Sequence, residues 1–255
     1  MYIDKSRFEQ YVNAINKVTA ATASELEDRL RTVWNSAGAK KYDRTALKET
    51  MVKFAEDIAM KYGLASAAVS AAMWEDIYRN DTGHRLEALI PDDGLDGYFG
   101  EAAENIVGER IDSGDWDGAL NFLVGIATKA VRDSARRTQV NNTRRVRRRN
   151  LPGANEAKWA RVPVGDDACA FCLLLAGRGF VYESEDTALF TAEGDKYHDH
   201  CRCEAIASFS DTSGIEGFDP DKYFQWYEES RTFDAQGRVD LSATLSNMRR
   251  KHGLK

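Results

Sequence analysis

The stretch Cys169-Ala170-Phe171-Cys172, with His198-Asp199-His200-Cys201-Arg202-Cys203 after it, decides how the second half of this chain is held together. Two cysteines separated by two residues present both sulfur atoms to one ion, and a second group of thiolates and imidazoles completes a tetrahedron. All four cysteines of the chain lie in these two groups. The pattern predicts a metal site, and its soft ligands favour Zn²⁺.

Two disulfides, a redox pair and a chance grouping are the alternative explanations of the four cysteines. The N-terminal segment MYIDKSRFEQYV lacks the apolar core of a secretory signal, so we expect the protein to stay in the cytoplasm that made it. Cytoplasmic thiols are kept reduced, which disfavours disulfides. A redox pair of Cys169 and Cys172 would leave the second group unexplained.

Six residues compete for the four positions around the ion: Cys169, Cys172, His198, His200, Cys201 and Cys203. Cys169 and Cys172 are the strongest candidates, because two cysteines separated by two residues are typical of metal ligands. His198 with Cys201 or Cys203 would complete a site of three thiolates and one imidazole, whereas an all-cysteine site would leave both histidines out. His200 is then a ligand, a hydrogen-bond donor behind the ligands, or an exposed side chain. Four protein ligands leave no position for water, so the site is predicted to be structural and not catalytic.

Residues 6–137 have the apolar periodicity of successive helices; in 8–18, for example, apolar side chains recur at spacings of three and four. We interpret the aromatic and Met residues of these stripes as core residues. Thr22 or Ser24 is expected to cap the second helix and Gly63 to end the third. The predicted helices lie at 8–18, 26–34, 47–58, 66–78, 98–110 and 113–131, with turns at 81–97.

The segment from Ser134 to Asn150, SARRTQVNNTRRVRRRN, is strongly basic and predicts an arm or an exposed helix end, with a break at 141–143. Its arginines either neutralise DNA phosphates without sequence preference or pair with acidic patches on this protein or on a partner. The net charge of -6 opposes DNA binding beyond this segment, and therefore favours contact with protein over contact with DNA. The candidate nucleic-acid or partner contacts are Arg136, Arg137, Arg144, Arg145, Arg147, Arg148 and Arg149.

After residues 151–153, Leu-Pro-Gly, the pattern changes to short strands and turns. Strands are predicted at 158–164, 180–182 and 205–209, and helices return at 223–230 and 241–250. The fold class is therefore α+β, with a mainly helical N-terminal half, a small zinc-stapled module and a helical tail. The predicted domains are a helical domain at 1–131, an arginine-rich hinge or arm at 132–157, a zinc-binding α+β module at 158–210 and a helical C-terminal tail at 211–255.

Composition and charge exclude several classes of protein. A hydrophobic content of 43% in 255 residues is that of a globular protein. The pI near 5.4 argues against a protein that coats nucleic acid over its whole surface. No run approaches the roughly 18 to 20 apolar residues that cross a bilayer, so no membrane role is expected. His84 and His252 stand in polar surroundings and are predicted to be surface residues.

The chain resembles the MuF-like minor head proteins of tailed bacteriophages, especially those of phages infecting actinobacteria. The helical first half, the basic segment and the terminal Met248-Arg249-Arg250 fit the same pattern, so the resemblance covers nearly the whole chain. Its specific part is the ordered set Trp159-Ala160-Arg161-Val162-Pro163, Cys169-Ala170-Phe171-Cys172, Ala176-Gly177-Arg178-Gly179, Val181-Tyr182 and Tyr197-His198-Asp199-His200-Cys201-Arg202-Cys203.

This resemblance implies a structural component of the virion, near the portal or on the inner capsid surface, that acts in head morphogenesis or DNA packaging. It implies the portal or the major capsid protein as partners, with non-specific contact with packaged DNA as an addition. The family's H-x-x-C-x-C motif falls on His198, Cys201 and Cys203 and favours His198 as a ligand of structural Zn²⁺. No protease triad is recognisable, and no enzymatic activity is expected. The competing hypotheses are a metal-dependent nuclease, in which His198, Asp199 or His200 activates water, and a DNA-binding regulator.

Overall fold

The computed structural model describes residues 2–37, 43–91, 95, 98–163, 168–183, 203–210 and 214–254. Of these residues, 68% are helical, and the strands are confined to short segments. The predicted α+β class with a mainly helical N-terminal half is confirmed. None of the helices in these ranges combines the length and the apolar composition needed to cross a membrane.

Four helices account for most of the first 148 residues: α1 (Lys5–Ala37), α2 (Arg44–Thr82), α3 (Glu101–Ser113) and α4 (Trp116–Arg148). Three shorter helices follow in the part of the chain that the structure describes: α5 (Ala170–Ala176), α6 (Pro220–Ser230) and α7 (Leu241–His252). The strands within the described ranges are β1 (Tyr2–Ile3), β2 (Lys158–Pro163), β3 (Cys203–Ser208) and β4 (Gly214–Ile215). Strands β2 and β3 pair antiparallel, from Lys158 opposite Ser208 to Pro163 opposite Cys203, and β1 pairs parallel with β4.

Two pairs of predicted helices are in fact single long helices. Residues 8–18 and 26–34 both lie within α1, where the Thr22 hydroxyl donates to the Val18 carbonyl instead of capping a new helix. Residues 47–58 and 66–78 both lie within α2, so the prediction that Gly63 ends a helix is wrong. A Cβ atom at Gly63 would lie 3.0 Å from the Ser134 hydroxyl oxygen. The glycine therefore serves the close approach of two helices.

The predicted break at 141–143 is also wrong, because α4 continues to Arg148. Asn142 and Thr143 are fully buried within it. The Thr143 hydroxyl oxygen accepts a hydrogen bond from the indole nitrogen of Trp74 at 3.0 Å. Polar side chains that find partners inside a core do not interrupt a helix as they would in solvent.

The chain forms two compact units, each assembled from separate segments. Unit 1 comprises Met1–Val12, Met73–Ala88 and Gln139–Lys255, and its largest buried side chains include Trp74, Trp159 and Phe209. Unit 2 comprises Asn13–Ala72 and Leu89–Thr138. The predicted domain boundaries stay predictions.

Unit 2 packs long helices through small residues. Its buried apolar side chains are mainly Leu, Ala and Val, and the fully buried Ser66 and Ser70 lie among them on α2. The Ser70 hydroxyl donates to the Ala135 carbonyl at 2.7 Å, which satisfies the buried polar group across the helix interface. Small side chains at such contacts let helix axes approach closely.

In unit 1, a buried carboxylate joins the start of α1 to the end of α2. The Asp76 side chain is 7% exposed and accepts hydrogen bonds from the Arg7 guanidinium, the Tyr11 hydroxyl and Arg79. Burial by itself raises the pKa of Asp76. The hydrogen bonds from Tyr11 and Arg7 and the charges of Arg7 and Arg79 outweigh it, so the pKa lies below its ordinary value.

Replacing Asp76 with asparagine is expected to lower the free energy of unfolding at pH 7 by about 1–3 kcal/mol. Because the folded pKa is depressed, the wild-type carboxylate stabilises the fold above the unfolded pKa of about 3.9 and loses that effect as pH falls further. The difference between the two proteins should therefore shrink on acidification, as urea unfolding at several pH values would measure. Asp112→Asn, at an exposed ion pair with Arg44, is the control and should cost less than about 1 kcal/mol.

Candidate functional site

The cysteines of the first group converge at the start of α5. Cys169 is the N-cap residue, and its sulfur accepts a hydrogen bond from the Cys172 backbone N–H at 3.4 Å. The two Sγ atoms are 3.3 Å apart, well beyond the roughly 2.05 Å of a disulfide bond. Two zinc–sulfur bonds of about 2.3 Å at a tetrahedral angle would hold sulfur atoms about 3.8 Å apart. The observed spacing is therefore close to that of two ligands of one ion.

The third described cysteine lies in a different setting. Cys203 is fully buried at the start of β3, and its sulfur accepts a hydrogen bond from Arg161 Nη1 at 3.4 Å. Within the described ranges, no three His, Cys, Asp or Glu side chains form a group that could hold a metal ion, so Cys203 does not join Cys169 and Cys172 in one. The remaining candidates, His198, His200 and Cys201, lie outside the described residues. The metal site stays a prediction supported by two converging thiols.

Arg161 is a residue of this site that the sequence analysis did not select. It is 2% exposed in β2, a strand in which four consecutive residues are buried. A charged residue in a strand that is covered on both faces needs a specific partner, and the Cys203 sulfur is one of its partners. The signal in the sequence is the arginine between Trp159-Ala160 and Val162, in a run that is otherwise apolar.

Two further contacts fix the position of α5. The backbones of Trp159 and Tyr182 exchange hydrogen bonds of 2.8 and 3.2 Å, and the Tyr182 hydroxyl donates to the Leu175 carbonyl at 3.4 Å. Burial raises the pKa of Tyr182, which keeps this hydroxyl protonated as a donor. A Cβ atom at Gly177 would lie 2.8 Å from the Phe224 backbone nitrogen, so α6 packs directly against the end of α5. The C-terminal end of α5 is thus held by Tyr182, whose backbone pairs with β2, and by α6.

In unit 2, the first two candidate arginines are largely covered. Arg136 is 4% exposed, and its Nη1 lies 2.7 Å from Asp133 Oδ1. Asp133 also accepts a hydrogen bond from the Tyr98 hydroxyl, whose pKa is raised, chiefly by burial. Arg137 is half-buried and donates to the Ser134 hydroxyl oxygen at 3.3 Å. Arg136 is therefore a core residue, in keeping with pairing to the protein's own acids.

In unit 1, two candidate arginines are used to hold backbone carbonyls. Arg145 Nη1 donates to the Glu87 carbonyl at 2.7 Å. Arg147 Nη2 donates to the Ala157 and Glu183 carbonyls at 2.5 Å each. Arg144 is half-buried, whereas Arg148 and Arg149 are exposed at the end of α4. The structure thus leaves Arg148 and Arg149 as the most accessible candidates for contact with another molecule.

The two isolated histidines differ from each other. His84 is exposed, as predicted. His252 is half-buried and lies at the surface only in part: its ring stacks on Trp226 with centroids 4.3 Å apart and an interplanar angle of 10°. An aromatic partner on the neighbouring helix α6 covers the imidazole, and polar neighbours in sequence do not reveal such a contact.

Comparison with known proteins places the chain in one family. The sequence model of the VG15 protein family matches residues 3–230, which include both cysteine groups and extend through α6. No curated protein and no solved structure shows detectable similarity to the chain. A match over most of the chain shows membership, and the chain belongs to the VG15 protein family, a phage-associated family of viral gene proteins.

Proposed function

We propose that this chain is a structural minor head protein of a tailed phage, of the MuF-like kind. It acts in head morphogenesis and is built into the virion, at the portal vertex or on the inner capsid surface, after synthesis in the host cytoplasm. The observation that carries the proposal is the family match over residues 3–230, because it joins a phage origin to the segment with the cysteine groups. The portal and the major capsid protein are the proposed partners.

The protein composition of purified phage particles tests this proposal directly. We expect the chain to co-purify with the portal and major capsid proteins through a density gradient, and to persist after nuclease treatment of the particles. Its presence in infected cells but not in particles that contain both of those proteins would contradict a head function.

A structural Zn²⁺ is part of the same proposal. Cys169 and Cys172 would supply two ligands, since their sulfur atoms already lie 3.3 Å apart. Two of His198, Cys201 and Cys203 would supply the others. The Cys203 sulfur also accepts a hydrogen bond from the Arg161 guanidinium. Bound zinc would supply a cross-link between distant parts of the module and no reaction, since four protein ligands leave no position for water.

The absence of enzymatic activity is proposed on the same chemistry. A thiolate-rich set of ligands is typical of structural sites, and a hydrolase needs an open coordination position with a base in reach. Incubation of the purified chain with single- and double-stranded DNA and RNA, in Zn²⁺, Mg²⁺ or Mn²⁺, should give no cleavage. Cleavage that His200→Ala abolishes in a variant that keeps its metal would favour the nuclease hypothesis instead.

The exposed end of α4 is the proposed contact for another head protein. The double variant Arg148→Gln/Arg149→Gln should reduce incorporation into heads and leave the weak affinity for free DNA almost unchanged. Arg29→Gln/Arg31→Gln removes two exposed arginines of α1 and is the matched control, with normal incorporation expected.

The DNA alternative for the same two arginines has a distinct signature. Each neutralised phosphate would contribute roughly -0.9 to the slope of log affinity against log salt, so the loss of two contacts would reduce the slope by about 1.8. If the Arg148/Arg149 variant loses a salt-dependent DNA affinity but is incorporated into heads normally, the proposed contact with another head protein would be contradicted.

A further inference from the structure

A groove in unit 2 has walls made of apolar side chains that remain open to solvent. Its volume is about 350 Å³, and its apolar lining comes from Met60, Leu64 and Ala67 of α2 together with Pro91 and Leu95. Met60 is 45% exposed and Leu64 is 60% exposed. These two residues are four apart on one helix and therefore present one continuous face.

The charged residues of the groove differ in whether they form an ion pair. Lys61 lies 2.7 Å from Glu25, and Asp57 lies 3.1 Å from Lys53, so both charges are already compensated. Arg137 also lines the groove, and its hydrogen bond goes to the neutral Ser134 hydroxyl at 3.3 Å. Within the part of the chain that the structure describes, Arg137 forms no ion pair with a carboxylate.

The neighbouring acid on α4, Asp133, has its own hydrogen-bond and ion-pair partners. Asp133 lies four residues earlier on α4, but it is paired with Arg136 at 2.7 Å and accepts a hydrogen bond from Tyr98. A carboxylate placed against a half-buried guanidinium beside an apolar wall would form a charge-assisted hydrogen bond, which the low local dielectric strengthens.

We propose that this groove binds an amphipathic helical segment of another head protein, which places an apolar side chain against Met60 and Leu64 and a carboxylate against Arg137. The inference rests on the proposed function for the identity of the partner. A helix laid in the groove would cover both exposed side chains, as in other helix-in-groove complexes.

Photo-crosslinking inside the phage head tests the groove. The full chain with Leu64→p-benzoylphenylalanine is produced during infection, the heads are purified and irradiated, and the cross-linked peptides are identified by mass spectrometry. We expect an adduct with one head protein, at an apolar residue within one helical turn of an Asp or Glu. The control places the same amino acid at Ile106, which is 38% exposed in unit 2 but does not line the groove, and should give no such adduct.

The charge requirement is tested in the same heads with a second substitution. Arg137→Glu should reduce the Leu64 adduct about tenfold, whereas Arg137→Lys should keep most of it, because only the first reverses the charge. Circular dichroism of each purified variant checks that unit 2 is folded. Incorporation of the chain without a Leu64 adduct, or an adduct unaffected by Arg137→Glu, would overturn the groove proposal and leave the head function standing. Absence of the chain from heads would overturn both.

Discussion

If the proposed structural zinc is bound, its removal is expected to unfold the segments around β2, α5 and β3 while most of the helical signal persists. The apparent binding free energy of structural zinc in small modules is about 10–16 kcal/mol, which is comparable with the whole stability of a domain, about 5–15 kcal/mol. Cys169→Ser or Cys172→Ser should have the same effect as a chelator. Hydrogen exchange of residues 158–163 and 203–208 measures the loss of structure, and elemental analysis measures the zinc.

A matched control separates metal loss from general damage to the module. Val181 lies in the same part of the chain and is 58% exposed, so Val181→Ser should keep both the zinc and the exchange protection. Restoring zinc should refold the chelated wild type but not Cys172→Ser. The structural role would be contradicted by a metal-free protein in which β2 and β3 remain protected and unfold cooperatively.

The Trp74→Ala variant should lose about 3–5 kcal/mol of stability, the usual cost of removing a buried tryptophan. Trp74 is fully buried in unit 1 and stacks on Tyr78, with ring centroids 5.1 Å apart. The rings of Trp74 and Phe209 form a T-shaped pair with centroids 5.6 Å apart, and the Trp74 indole N–H donates to Thr143. The substitution removes the ring contacts and the hydrogen bond together and leaves a cavity, as urea unfolding followed by circular dichroism would measure.

Two companion variants show which part of this cost comes from packing. Trp74→Phe keeps an aromatic ring and loses the indole N–H, so its cost should lie well below that of alanine. Phe224→Ala removes an aromatic side chain that is 52% exposed and should change stability by less than about 1 kcal/mol. Equal costs for Trp74→Ala and Phe224→Ala would show that the ring cluster does not hold unit 1 together.

Local pattern alone was enough for the features that depend on neighbours in sequence. Strands at 158–163 and 203–208 lie close to the predicted strands at 158–164, where the sequence alternates, and at 205–209. The helices at Pro220–Ser230 and Leu241–His252 include the segments 223–230 and 241–250 that periodicity predicts. The approach of Cys169 to Cys172 could be predicted because two intervening residues in a helical turn bring side chains together whatever the rest of the chain does.

Other features depend on residues far apart in the chain. Gly63 lies inside a helix and against Ser134, whereas the local rule predicts that a glycine ends the helix. Thr143 does not interrupt α4, because its hydroxyl oxygen accepts a hydrogen bond from the indole of Trp74. Buried residues recur at helical spacing along α4: Val131, Ser134, Thr138, Asn142 and Val146. Three of them are polar, so a search for apolar periodicity alone does not detect this buried face. Arg136 is buried because Asp133 compensates it, and the groove joins Leu64 to Arg137, 73 positions away. Burial, charge compensation and grooves are properties of packed surfaces, so local sequence periodicity does not encode them.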